Sequence, residues 1–121
     1  MQFKIPKDTQ NLAWTKHAVQ KMMFYGLSAT KIKAILSRYD RMEQGIAENT
    51  VAVMKKAGSK KNPQEIWAMY QDKEVVLDNL RQKKKIVIAA WRYPGVSKPK
   101  ERTPIPKEIA AELKNKNKAD F

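Results

Sequence analysis

The sequence predicts an α+β domain, with an N-terminal αα-hairpin packed on a roughly four-stranded antiparallel sheet and a short C-terminal helix after it. Three observations carry that prediction. Apolar residues recur at helical spacing from Trp14 to Tyr39. Between Arg41 and Tyr93 they instead alternate or run together in short segments bounded by turn residues. The two kinds of segment are segregated along the chain, which argues against interleaved βαβ units.

Taken in order, residues 1–13 read as a loose or partly extended lead-in. Thr15 can cap a first helix in which Trp14, Ala18, Met22 and Tyr25 share a face, and Gly26 ends it because glycine reaches positive φ at little cost. Ser28 caps a second helix with an Ile32, Ile35, Leu36, Tyr39 stripe. The short turn between them makes an αα-hairpin. The period then changes. Arg41–Ile46 and Thr50–Lys56 read as strands joined by an Ala-Glu-Asn turn, and Gly58–Pro63 reads as a loop. Ile66–Tyr70 is a third strand and Lys85–Tyr93 the fourth and most apolar. Residues 72–84 between them suit either a short helix with Val76, Leu77 and Leu80 inward or a long hairpin, and the helix is preferred. Pro94-Gly95 ends the sheet. Residues 94–106 form a Pro-rich arm expected to be flexible, and an amphipathic helix follows from Lys107 with Ile109, Ala110 and Leu113 on one face. The tail 114–121 is expected to fray.

One core fits the 121 residues, and the 42% apolar content is that of a folding chain. With no cysteine, disulfides, thiolate metal sites and cysteine nucleophiles are excluded together. The start lacks the apolar stretch of a secretory signal, and the longest apolar run, Ile86–Trp91, is too short to span a bilayer. A cytoplasmic protein with no membrane partner is the resulting expectation. Charge is the dominant feature: 25 Lys and Arg face 12 Asp and Glu, a net +13. Residues 41–80 are neutral, and the excess lies on either side of them. Self-repulsion destabilises a compact chain so charged, so the field points to a polyanionic partner, RNA first, with a generally basic composition as the bland alternative.

Candidate site residues follow from side-chain chemistry. His17 and Lys21 stand i, i+4 on the first helix, where an imidazole could take a proton from a ribose hydroxyl while the ammonium meets the phosphate. The competing reading of His17 is a buried histidine that stabilises helix-to-sheet packing. Arg38 and Arg41 flank the junction of second helix and first strand, as phosphate forks or as solvated cap groups. Trp91, Arg92 and Tyr93 end the last strand; alternation puts both rings on one face and Arg92 on the other, so at least one ring belongs to the core. Lys83, Lys84 and Lys85 with Lys98, Lys100 and Lys107 offer non-specific charge. No Gly-rich phosphate loop, Ser–His–Asp set or metal-ligand cluster is present, so neither cofactor nor metal is expected.

The segment Trp14–Met42, WTKHAVQKMMFYGLSATKIKAILSRYDRM, resembles a short bacterial domain family of unknown function. Its members open with a Ser/Thr-x-His-Ala-x-x-Arg-Met helix followed by a Gly-Ile/Leu-Ser turn. The matching positions are His17, Ala18, Lys21, Met22, Gly26, Leu27 and Ser28, about a quarter of the chain, with Lys21 where that family usually has Arg. More loosely, the segment is similar to the RelE and BrnT class of toxin ribonucleases. The resemblance implies a RelE-like domain that cleaves RNA without a metal, with His17 as acid or base and Lys21 on the phosphate. Arg38 or Arg41 would join Lys21 there, with Arg92 or Tyr70 assisting. Two other functions share the same surface: a non-catalytic RNA- or ribosome-associated protein, and an interaction domain for an acidic protein such as an antitoxin.

Overall fold

The computed structural model describes residues 3–45, 49–97, 105–107, 109 and 111. In chain order its elements are β1 (Leu12–Trp14), α1 (Lys16–Tyr25), α2 (Ala29–Ser37), β2 (Arg41–Gln44), β3 (Thr50–Gly58), β4 (Pro63–Leu77) and β5 (Leu80–Pro94). The class is α+β. The sheet has five strands rather than four and is mixed rather than antiparallel, in the order β1-β5-β4-β3-β2. From β2 to β5 it is an antiparallel meander; β1 joins the far edge parallel to β5, Ala13 opposite Ile86.

The αα-hairpin forms where its caps place it. Thr15 Oγ1 accepts from the Ala18 N–H at 3.0 Å, and Ser28 Oγ accepts from the Lys31 N–H at 3.2 Å. Gly26, at φ 67°, closes α1 in the left-handed conformation, and the Leu27 N–H returns to the Met22 carbonyl at 2.8 Å. The hairpin buries Ala18, Met22, Leu27, Ile32, Ile35 and Leu36 against Val53, Ile66, Ala68, Tyr70, Val87 and Ala90 of the sheet. Tyr39 lies beyond the helix end and is exposed.

The sheet's other face has a core of its own: Ala52, Met54, Trp67, Met69, Ile88, Ala89, Trp91 and Ile109. Trp67 and Trp91 face each other across β4 and β5 with rings stacked, centroids 5.9 Å apart. Ala89 pairs with Met69 and Val87 with Tyr70, so Ile88 is the extra residue of a β-bulge. The bulge lets Ile88 and Ala89 share one face of the sheet. Lys107, Ile109 and Ala111 are helical, and Ile109 is fully buried against the tryptophans, as the amphipathic pattern predicts; Ala110 and Leu113 fall outside the described residues. Of the Pro-rich arm, residues 94–97 and 105–106 are described: Ser97 is buried and Ile105 packs on the second core. The tail 114–121 lies outside the described residues.

Two expectations are corrected. The lead-in contains β1, a three-residue strand too short to show a period, held by backbone bonds from Lys85 N–H to Asn11 and from Thr15 N–H to Val87. Residues 72–84 are the outer half of a long hairpin, not a helix. Asp78 and Asn79 take φ of 50° and 64°, the two-residue turn whose twist matches its strands. Val76 and Leu80 point to solvent at 64% and 65% exposure. Val75 and Val76 are β-branched and strand-favouring, and Asp and Asn are the non-glycine residues that best tolerate positive φ.

The left-handed glycines give a graded test of the fold. Gly26→Ala meets nothing within 4 Å, so only the φ cost applies, about 1–2 kcal/mol or a drop in Tm of about 4–8 °C. Gly58→Ala, at φ 78°, would also drive its methyl against the Asn62 carbonyl oxygen. It should lose more in the same thermal melt, and an equal loss would show that the β3–β4 loop yields freely.

Candidate functional site

Much of the chain's aromatic and polar chemistry is in the interior. His17 sits on the inner side of α1, 2% exposed, while Lys21 is half-buried with its ammonium 5.7 Å over the exposed Phe24 ring. The i, i+4 spacing therefore does not present the two to solvent as one pair. Trp91 is fully buried and Tyr93 half-buried on the same face, with Arg92 on the other, as alternation predicts. Arg92 donates to Gln64 Oε1 at 3.1 Å and to the Tyr25 carbonyl at 3.2 Å, which ties β5 to the end of α1. Tyr70 is buried too, and desolvation, with smaller contributions from Asp72 and Tyr39, pushes its hydroxyl pKa up.

Arg38 and Arg41 are divided between the two sheet faces. Arg41 stands in a cross-strand row with Met54, Trp67 and Trp91. Its guanidinium lies 4.9 Å over the Trp67 ring, Nη1 donates to the Ser97 carbonyl (3.2 Å) and hydroxyl (2.9 Å), and Nε is 2.9 Å from Glu43 Oε1. Ser97 in turn donates to Glu65, its hydroxyl to Oε1 at 2.6 Å and its N–H to Oε2 at 3.1 Å; Trp67 Nε1 donates to Glu65 Oε1 at 3.0 Å. Glu65 is 1% exposed, so this network supplies the partners that a buried carboxylate requires. Arg41 is thereby committed to holding Ser97, where the chain leaves the sheet, onto the second core.

Cations reach solvent together at a groove between α2 and β3. Lys31, Arg38, Lys55 and Lys56 border it, Ala34, Ile35, Ala57, Gly58 and Ile66 complete the lining, and its volume is about 600 Å³. Lys31, Ala34 and Arg38 recur at i, i+3, i+7 on the outer side of α2, and Lys55 shares its strand face with Val53 and Ala57. Among the described residues the carboxylate in contact with these cations is Asp40: Oδ2 accepts the Lys56 N–H at 2.8 Å and Oδ1 lies 3.4 Å from Lys55 Nζ. The backbone bond from Lys56, then the side-chain bond from Lys55, hold the Asp40 carboxyl below its ordinary 3.8. Its contribution to stability is present above that value and is lost as pH falls through the lowered one. Lys60 and Lys61 extend the charge along the adjoining β3–β4 loop, exposed.

A second cleft, about 530 Å³, runs between the lead-in and α1, but it holds two cations, Lys7 and Lys16, with Asp8 beside them, whose carboxylate accepts the Trp14 N–H. Of the lysines singled out in the sequence, Lys83 and Lys85 share one face of β5 and Lys84 takes the other; Lys85 lies 4.8 Å over the Tyr70 ring. Lys107 is exposed, and Lys98 and Lys100 fall outside the described residues. Among the described residues no cluster of His, Cys, Asp and Glu could hold a metal, and no helix is long and apolar enough to cross a membrane.

The Glu65 network should be structural. Glu65→Ala strands three donors and should cost about 3 kcal/mol or more, and Ser97→Ala about 1–2 kcal/mol, both read from denaturant unfolding. A Glu65→Ala protein as stable as the parent would mean that water replaces the network freely. No family model matches the chain, and neither a curated protein nor a solved structure matches it.

Proposed function

We propose that this chain is an RNA-binding protein that grips the phosphodiester backbone through the α2–β3 groove without reading base sequence. The observation that carries the reading is the groove's one-sided charge: four cations around an apolar floor, with a single carboxylate beside them among the described residues. Lysine and arginine around a concave, partly apolar surface suit a sugar-phosphate chain, whose affinity comes from released counterions. No ring is offered for base stacking there, so sequence preference should be weak.

Binding stands ahead of cleavage. A general base must come within hydrogen-bond reach of the proton it takes, and the His17 imidazole is interior. The ribonuclease expectation is therefore carried by the resemblance of Trp14–Met42 alone. An acidic protein could use the same cations, but its affinity would depend on the fixed positions of its carboxylates.

Fluorescence polarisation with single-stranded RNA decides. With about four phosphates neutralised, log K against log salt should fall with a slope near −3. Lys31→Gln combined with Lys55→Gln should make it shallower by about 1.4. Asp40→Asn should tighten binding, because it releases Lys55 from its carboxylate. Affinity flat from about 50 to 300 mM salt would overturn the reading.

A further inference from the structure

Past Gln71 and Lys85 the β4–β5 pair has no neighbouring strand among the described residues. The last β3 partner is Thr50, opposite Gln71, and the β1 pairing ends at Leu12, opposite Lys85. Residues 72–77 and 80–84 thus run beyond the sheet as a two-stranded ribbon about 20 Å long. Isolated ribbons are marginally stable in water, so an exposed one requires strong local pairing.

Its charges are sorted by face. On the face continuous with the helix-packed side, acids and bases are matched: Asp72 opposite Lys85, Glu74 opposite Lys83, and Arg81 Nη1 3.9 Å from Glu74 Oε1. On the other face Lys73 stands directly opposite Lys84, and among the described side chains the remaining ones there are Leu80 and Gln82, with no acid. The Gln82 side chain is already taken up by Gln10, Nε2 to Oε1 at 3.1 Å. Like charges directly opposite on a strand pair are unfavourable, with Cβ atoms only about 5 Å apart. That spacing lets two ammonium groups close on one phosphate.

We propose that Lys73 and Lys84 form a phosphate clamp, a second backbone contact for the RNA held in the groove. The proposal rests on the groove reading and adds a length requirement to it. From Ile66 in the groove lining to Lys73 along β4 is about 23 Å at about 3.3 Å per residue. Ile66 faces the hairpin and Lys73 the opposite side of the sheet, so rounding the ribbon's edge adds about 10 Å. At about 3.4 Å per stacked nucleotide, an RNA of at least about ten nucleotides is needed to reach both sites. Shorter ones engage one at a time and forgo the gain of tethering.

The test compares oligouridylates of about 4 and about 16 nucleotides on the full chain. Lys73→Gln with Lys84→Gln should weaken the long RNA on the order of tenfold at about 0.1 M salt and make its slope shallower by about 0.7, the share of one phosphate. The short RNA should weaken by less than about twofold. Lys73→Arg with Lys84→Arg should restore the long-RNA affinity. The Tm of the Gln variant should stay or rise, since a repulsive pair is removed; a fall in Tm matching the loss of binding would make the pair structural and overturn the clamp. Parental affinity in the ribbon variant, with the Lys31→Gln, Lys55→Gln variant weakened, would overturn the clamp and leave the groove standing, with the exposed Val76 and Leu80 tip pointing to a protein partner. Parental affinity in both variants would overturn the groove reading as well.

Discussion

From Glu65 to Tyr70 every residue of β4 is buried, and the rest of the structure follows from having to cover both faces of that strand. A strand buried on both sides reads as a continuous run rather than an alternation, and its sheet needs a layer on each face. The αα-hairpin covers Ile66, Ala68 and Tyr70, while Ile105 and Ile109 pack over Trp67 and Met69. Glu65 falls on the second face, so its carboxylate is buried along with its neighbours. A buried charge persists only where donors surround it, and the donors here are Ser97 and Trp67, with Arg41 behind them. The network links β2, β4 and the start of the C-terminal segment. That explains why a residue in a predicted flexible arm, Ser97, is one of the most enclosed polar groups in the protein.

With both sheet faces occupied, the chain's cations are pushed to the periphery: the outer side of α2, the ends of β3, the β3–β4 loop and the β4–β5 ribbon. Where they fall beside a carboxylate they are locally spent, as Arg41 is on Glu43 and Arg81 on Glu74. Where they fall together with one carboxylate or none, as at the groove and at Lys73 and Lys84, they leave an unbalanced field. Exposed pairs of opposite sign add little to stability, so the sorting matters more for what the surface attracts than for the fold.

The αα-hairpin was legible because its signals are local: Thr15, Gly26 and Ser28 each fix a backbone conformation without help from distant residues. The apolar run Ile86–Trp91 announced a buried strand for the same reason. β1 and the ribbon were not legible. Leu12–Trp14 is a strand only because Lys85–Val87 lies beside it, more than 70 residues away in sequence. The ribbon's identity turns on Asp78-Asn79, which is not among the commonest hairpin dipeptides. At the site, His17 and Trp91 attract attention as types, and both are large, partly apolar side chains in the interior, the placement that the competing reading of His17 and the alternation along β5 describe. The groove draws Lys31 and Lys55 from elements 24 positions apart, and no local motif marks either.

Stability and binding should respond to salt in opposite senses. At +13 the native chain repels itself, and added salt screens that repulsion and favours the compact state. On the proposed reading, the same salt would weaken RNA binding by removing the entropy of counterion release. A bound polyanion both neutralises the field and stabilises the native state by mass action, by about 2.7 kcal/mol at a hundredfold excess over Kd. The unbalanced charge is therefore a cost to the free protein that a polyanionic ligand would relieve. At low ionic strength RNA should raise Tm markedly, and the gain should shrink as salt rises even while the free protein's own Tm climbs. A structural lysine surface with no polyanionic ligand would show the second trend without the first.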